Sequence, residues 1–376
     1  MAIADTILEL NDALQDAKDA VTTAGGTVGD TGLAGLATEI ATIPTGGGVE
    51  KPTSWAELKT MSTADLQQAY PVGSIIDSIE CKWTNTNNTT VYDVKWVVAH
   101  YGTCELENDN TQYPCVTLLA KYGFPTAMAF DQKEQVQCDS TTELTAEDGV
   151  YYYGTSVASG NIATANTTAL NLTTGDAIPY SDYARIFKSS VNTTNANFVN
   201  MWLYGYNNYK LSNIRQWLNS TANDTNWFVA THVGDVKASS YNNHRGFQSG
   251  FTSDFLNVVS PTKINVLANT VTDGGADEVM YDKFFLPSWK EVGFTNPPAE
   301  GDRFDGIESP SDRCKYYLVT GNMMPTNNGA DFWWLRSPYR SSSYYEYIVG
   351  NIGANNDINS SGTFRVVPAC KIILAS

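Results

Sequence analysis

The chain has 376 residues, 42% of them hydrophobic and 12% aromatic, enough for a sizeable core spread over two or three domains. Its 40 acidic and 23 basic residues give a net charge of −17, which argues against a nucleic-acid partner and against an anionic membrane surface. No run of about 18 apolar residues occurs, so no membrane insertion is expected, and the opening MAIADTILEL lacks the basic start and apolar core of a secretory signal peptide.

The first element is a predicted helix with a seam. Ile3, Ile7, Leu10, Leu14, Ala17 and Val21 alternate by four and three residues, an a/d pattern over three heptads closed by Gly25 and Gly26. A second short helix, capped at Asp30 or Thr31, puts Leu33, Leu36, Ile40 and Ile43 on one face. Pro44 and Gly46-Gly47-Gly48 then form a linker. Residues 1–48 are therefore expected to be an oligomerisation or attachment segment, most simply a trimeric coiled coil that makes the protein a homotrimer. A hairpin packed on its own chain is the alternative.

Residues 49–180 read as β-rich. A helix from Trp55 or Ala56 is followed by Pro71. Strand-like runs come next at 74–79, 91–101, 114–122 and 149–157, rich in β-branched and aromatic residues. TNTNNTT at 84–90 reads as a hairpin loop, and 158–174 as an irregular connection. Residues 181–376 mix helices (211–219, with Ser212 as cap, and 251–259) with strands (279–288, 311–320 and 331–337). The whole predicts an α+β fold.

The six cysteines (Cys81, Cys104, Cys115, Cys138, Cys314 and Cys370) form no CxxC pair, and His100, His232 and His244 lie apart from one another. No zinc site is expected. Reduced buried thiols are the plainest reading; one or two disulfides stay open, and the sequence chooses no pairing. No nucleophile motif appears, so no catalytic residues and no enzyme activity are expected.

The closing stretch has a distinctive composition. Hydrophobic anchors at Phe332–Leu335 and at Phe364, Val366 and Val367 flank residues 339–363, where 4 Tyr, 5 Ser and 4 Asn make up 13 of 25 positions. Tyr supplies rigid contact area, and Ser and Asn supply adaptable hydrogen bonds, as in binding loops that meet many surfaces. The candidate ligand-binding residues are Tyr339, Arg340, Ser341, Ser342, Ser343, Tyr344, Tyr345, Tyr347, Asn351, Asn355, Asn356, Asp357, Asn359, Ser360, Ser361 and Thr363, all expected to be exposed. Ile348, Val349, Ile352 and Ile358 should point inward, Gly350, Gly353 and Gly362 should serve the turns, and Glu346 should stay fixed.

NIRQWLN (213–219), FFLPSWKEV (284–292), WWLRSP (333–338) and GTFRVVPA (362–369) follow one another in an order that resembles an uncharacterised domain common in Firmicutes proteins and their phages. The resemblance covers roughly residues 70–376 and implies a C-type-lectin-like fold. One departure is Val367, where the family carries Arg before Pro-Ala; Arg365 stands two residues earlier. Some members resemble the variable proteins that diversity-generating retroelements rewrite, phage tropism determinants among them. AGLATEIATIP (34–44) resembles the leading segment of phage tail and adhesin proteins.

The resemblance implies a phage receptor-binding protein on the virion, at the tail or another surface-exposed and extracellular position. Its partners would be a host cell-surface protein or glycan and a virion structural protein. The alternatives are a structural decoration or baseplate protein without a receptor role, and a prophage-encoded bacterial adhesin. A lectin-like fold also invites calcium. The acidic clusters 105–110 and 355–357 lack EF-hand spacing, so no cofactor and no metal site are expected.

Overall fold

Two serines start the ordered part of the main unit. Ser54 and Ser62 accept hydrogen bonds through Oγ from the backbone N–H of Glu57 and Asp65, capping α1 (Trp55–Thr60) and α2 (Thr63–Ala69). Trp55, Leu58 and Leu66 turn inward, and Pro71 follows the second helix. This computed structural model describes residues 14–15, 17–19, 21, 48–132, 135–137, 149–156, 162–172, 184–187, 201–203, 206–230, 235–270, 273, 275–294, 300–305, 307, 332–342, 344–350 and 355–375.

The chain divides into Met1–Glu50 and Lys51–Ser376. In the first unit Leu14, Ala17 and Val21 of the expected seam are helical. Ile3, Ile7 and Leu10 lie outside the described residues, as does the expected second helix.

Strand β1 (Lys82–Thr84) pairs with β2 (Val91–Asp93) across the expected hairpin loop, where the Asn85 and Asn88 side chains accept from the backbone two residues on. The long hairpin of β3 (Trp96–Leu106) and β4 (Asp109–Ala120) turns at Asn108, whose φ is 62°. Residues 74–79, expected as a strand, are not one. Ile75 makes only an isolated bridge to Val97, because Tyr70 Oη and the Asp77 and Ser78 side chains take over the local hydrogen bonding.

After β5 (Met128–Ala129) come β6 (Gln135–Gln137), β7 (Gly149–Ser156), β8 (Ile162–Leu172), β9 (Ala184–Phe187) and β10 (Met201–Leu203). They form one five-stranded sheet in the order β6-β10-β9-β7-β8. The stretch 158–174, expected as irregular, thus holds a strand paired along β7. Its alternating Ala and Thr suit a pleated ladder, although little in it is strongly hydrophobic. This sheet also crosses the boundary at residue 180.

Beyond it lie α3 (Asn213–Leu218), α4 (Ser253–Leu256), β11 (Thr262–Val266), β12 (Glu278–Asp282) and β13 (Phe284–Phe285). Then follow β14 (Trp333–Pro338), β15 (Tyr345–Val349), β16 (Asn355–Asn359), β17 (Thr363–Phe364) and β18 (Ala369–Ile373). Helix α3 begins at the expected cap, Ser212, while the helix expected over 251–259 is confined to α4. The expected strand at 311–320 lies outside the described residues.

The central antiparallel sheet has the order β12-β11-β3-β4-β18-β13. It joins β3 and β4, from the 49–180 stretch, to the C-terminal strands, so the two stretches share one core. Trp83, Trp96, Phe124, Phe247, Phe251, Phe255 and Phe284 pack inside it, edge-on or tilted except for Phe251 and Phe284, which stack. The fold is mixed α/β, mostly sheet with a few short helices. No helix among the described residues is long and apolar enough to cross a membrane.

Candidate ligand-binding surface

The surface is built on the sheet β14-β15-β16. Its base is β14, the WWLRSP segment, in which every residue is buried. Trp334 donates from Nε1 to the Met128 carbonyl at 2.8 Å and meets Phe364 edge-on at 5.0 Å. Arg336 is fully buried and uses all five of its donors. Nε reaches Asn265 O, Nη1 reaches Leu286 O and Glu291 Oε2, and Nη2 reaches Glu291 Oε1 and Glu300 O. Ser337 accepts from the Trp289 N–H and donates to the Glu300 carboxylate. Glu291 in turn accepts from the Ser288 N–H at 2.9 Å.

The segments FFLPSWKEV and WWLRSP, far apart in the chain, therefore meet in one buried polar network. The NIRQWLN helix is tied in similarly. Arg215 makes a bidentate pair with Asp282 at 2.8 and 2.8 Å, and the Asn219 amide bonds the backbone of Lys283 and Phe284. At the departure from the family pattern, Val367 is buried and Arg365 Nη1 donates to the Pro125 carbonyl.

On β15 the side chains alternate. Tyr345 and Tyr347 face outward opposite Asn359 and Asp357 of β16, while Glu346 and Ile348 face the core. Rings run in an unbroken series across the outer face, backed at one end by the buried Tyr206, which stacks on Tyr344 at 6.0 Å. Tyr344 lies 4.5 Å from Tyr345. Tyr339 lies 6.5 Å from Tyr345 and 5.5 Å from Tyr347. Tyr347 lies 4.1 Å from Trp289, which lies 4.4 Å from Phe294.

A buried amide fixes the turn beneath these rings. Asn207 donates from Nδ2 to Ser342 O (2.9 Å) and Tyr345 O (2.7 Å), and it accepts from Asn269 Nδ2 at 2.8 Å. Asn269 also donates to Asp273 Oδ2 at 2.8 Å.

The expected ligand-binding residues fall into groups. Ser341, Asn356, Asp357 and Thr363 are exposed; Tyr339, Tyr344, Tyr345, Tyr347, Asn359 and Ser361 are half-buried with part of each reaching solvent. Ser360 is not exposed: it is fully buried, with its N–H and hydroxyl both donating to Tyr344 O. Arg340 is half-buried and turned to the scaffold, its Nη2 donating to Gly275 O at 2.6 Å while its own carbonyl accepts from Thr270. Ser342 is half-buried with its hydroxyl accepting from the Tyr344 and Tyr345 N–H groups. Thr363 stands apart on β17, paired with β5. Ser343 and Asn351 lie outside the described residues, as does the Asn355 side chain. Of the expected inward set, Ile348 and Val349 are buried and Ile358 is half-buried; Gly350 is buried, Gly362 closes a turn onto Asn359 O, and Ile352 and Gly353 lie outside the described residues.

Tyr206, Trp289 and Phe294 belong to the ring series and were not among the expected residues. Trp289 sits inside FFLPSWKEV, where only its place in the motif was read. Tyr206 carries no local signal, because it packs, buried, against Tyr344 from 138 residues earlier in the chain.

Electrostatics separate the outer face from what lies beneath it. The Glu346 carboxyl is fully buried and, among the described residues, has no hydrogen-bond partner on either oxygen; burial, with Glu300 nearby, holds its pKa well above the usual range. Burial likewise lifts Glu300 to about 7, against the pull of Arg336. The outer face carries aromatic rings, amides, hydroxyls and Asp357. That arrangement suits stacking and hydrogen bonding. Among the described residues no group of three or more His, Cys, Asp or Glu could hold a metal ion.

No curated protein and no solved structure matches the chain. One family model matches residues 184–374, about half of the chain, taking in α3, all three strands of the aromatic surface and the closing strand β18. The chain belongs to the family of the domain of unknown function DUF6273.

Proposed function

We propose that this chain is a phage receptor-binding protein. It presents the outward residues of 339–363, together with Trp289 and Phe294, as its recognition surface on a C-type-lectin-like domain. The observation that carries the reading is the unbroken aromatic series over β15 and β16, laid on a backbone that Asn207, Arg336 and Glu291 fix from below. Aromatic rings give large contact area at low entropic cost, and the Asn and Ser residues between them adapt to different ligands. A scaffold that holds its own backbone lets the tips be exchanged at little cost in stability, which is what a retroelement-type variable region requires. The ligand is a host cell-surface protein or glycan. A trimer held by the N-terminal seam multiplies a modest affinity per site through effective concentration.

The test is a host-cell pull-down with the intact protein and with Tyr344, Tyr345 and Tyr347 changed together to Ala. The variant is expected to lose the signal while keeping its melting temperature within a few degrees; retained binding rejects the assignment. Diversification is tested separately by sequencing isolates, which should differ in codons for the outward residues and carry a nearby reverse-transcriptase gene.

A further inference from the structure

A cleft that reaches Arg336 and Glu291 also borders the central sheet and holds chemistry that the recognition surface does not use. On the face of the sheet toward this cleft the side chains form a grid. Lys371 on β18, Thr117 on β4 and His100 on β3 make one row, and Ile373, Cys115 and Gly102 make the next. Cys104, two residues beyond Gly102, completes the pattern diagonally from Cys115. Gly102 leaves a gap where it faces Cys115. His100 leans into that gap, with Nε2 only 2.6 Å from where a Gly102 Cβ would sit. Asp305 Oδ2 holds His100 Nδ1 at 2.8 Å, which leaves Nε2 as a proton acceptor in the neutral ring.

Cys104 also lines this cleft of about 210 Å³, together with His100, Lys371, the Lys263–Glu105 ion pair, Glu291 and Asp302. The two thiols hydrogen-bond to one another. That contact, with the Lys371 charge adding to it, lowers the Cys104 thiol below its ordinary value; the same contact and burial raise Cys115. All four described cysteines are buried, Cys104 at 4% and Cys115 at 1% exposure. Cys81 and Cys370 differ in sitting among the core hydrophobics, where burial pushes Cys81 up to about 12 and Trp96 Nε1 donates to its sulfur at 3.3 Å.

We propose that Cys104 and Cys115 are a dithiol that reacts with a low-molecular-weight anionic disulfide entering this cleft and closes into a Cys104–Cys115 disulfide. The Cys104 thiolate attacks one sulfur of the incoming disulfide. The Cys104–sulfur bond forms as the disulfide bond breaks, and the departing thiolate takes up the proton that Cys104 had released. Cys115 then gives up its proton, attacks Cys104 Sγ and expels the second small thiolate, which is protonated in turn. The protein loses two electrons, and the small disulfide gains them as two thiols. Lys371 supplies the charge that receives a carboxylate of the incoming molecule.

The experiment uses the full chain, reduced and then freed of reductant, incubated with glutathione disulfide and read by non-reducing peptide mapping. The expected result is a Cys104–Cys115 cross-link that dithiothreitol removes, with Cys81 and Cys370 still free. Cys115→Ser should instead hold one glutathione on Cys104. Unreacted Cys104 and Cys115 in the folded wild type, or a link between Cys81 and Cys370 in their place, overturns the proposal. The wild-type map decides the matter even if the variant fails to fold.

Discussion

Arg336 and Glu291 form a bidentate pair, with Nη1–Oε2 at 2.6 Å and Nη2–Oε1 at 2.8 Å, in a site where the arginine has no solvent exposure at all. Removing one partner strands the other as a buried charge. Arg336→Met and Glu291→Gln are each expected to lower unfolding free energy by about 3–5 kcal/mol. Urea titration followed by tryptophan fluorescence measures this. A loss under about 1 kcal/mol in both variants would show that the network is dispensable.

Glu300 and Glu346 set a pH dependence. Both pKa values lie above the ordinary carboxylate range in the folded chain, so the fold binds protons that the unfolded chain releases. Their contribution is fully present below the unfolded value of 4.5 and is lost as pH rises through the raised folded value, about 7 for Glu300. His244 acts oppositely. Burial lowers it to about 4, so it weakens the fold as pH falls below 6.5. Between pH 6.5 and 8 only the carboxyl pair of these three still titrates. Melting temperature should therefore fall across that range in the wild type and fall less in Glu346→Gln. Equal slopes in the two proteins would refute the assignment.

Asn207→Ala removes both hydrogen bonds that hold the turn under the rings. A stability loss of about 1–3 kcal/mol is expected, since Ser342 O and Tyr345 O lose a buried donor. Hydrogen exchange should quicken over 339–347 more than in β4. Uniform quickening over the whole sheet would contradict a local role.

Tyr347 and Trp289 lie 4.1 Å apart, and a double-mutant cycle to Ala should give a coupling of about 0.5–1.5 kcal/mol in thermal unfolding. A coupling near zero would separate Trp289 from the surface.

Exchangeability differs by position. Ser341→Tyr, at an exposed site, should change stability by no more than about 0.5 kcal/mol. Ser360→Tyr must fit a large ring into a closed site and should cost about 1–3 kcal/mol or more. Comparable melting temperatures for the two variants would show that residue 360 belongs with the outward set after all.

Much of this arrangement was legible in the sequence. The Ser212 cap, the WWLRSP strand and the alternation of Tyr345, Glu346 and Tyr347 all follow from local patterns, because caps and pleats act within a few residues. Ser360 was not legible. It has the composition of the outward residues, yet the return of the chain past Tyr344 closes over it. The strand at 162–172 was hidden because Ala and Asn, which are sparse in strands, fill five of its eleven positions, and its pairing with β7 is a tertiary choice. Trp289 needed a contact across 58 residues to Tyr347, which no window of sequence contains.

The five-stranded sheet lies between two points that meet on neighbouring residues. Asp131 donates its N–H to Ser360 O, and Tyr206 Oη donates to Asn359 Oδ1 at 3.4 Å. The chain thus departs and returns through one doorway at the rim of the aromatic face. A cassette carried by such a doorway can be lengthened, trimmed or swapped for a foreign domain without rethreading the central sheet. Whatever it carries stands beside the rings, so the same point that tolerates grafting also offers a second means of changing what the protein can reach.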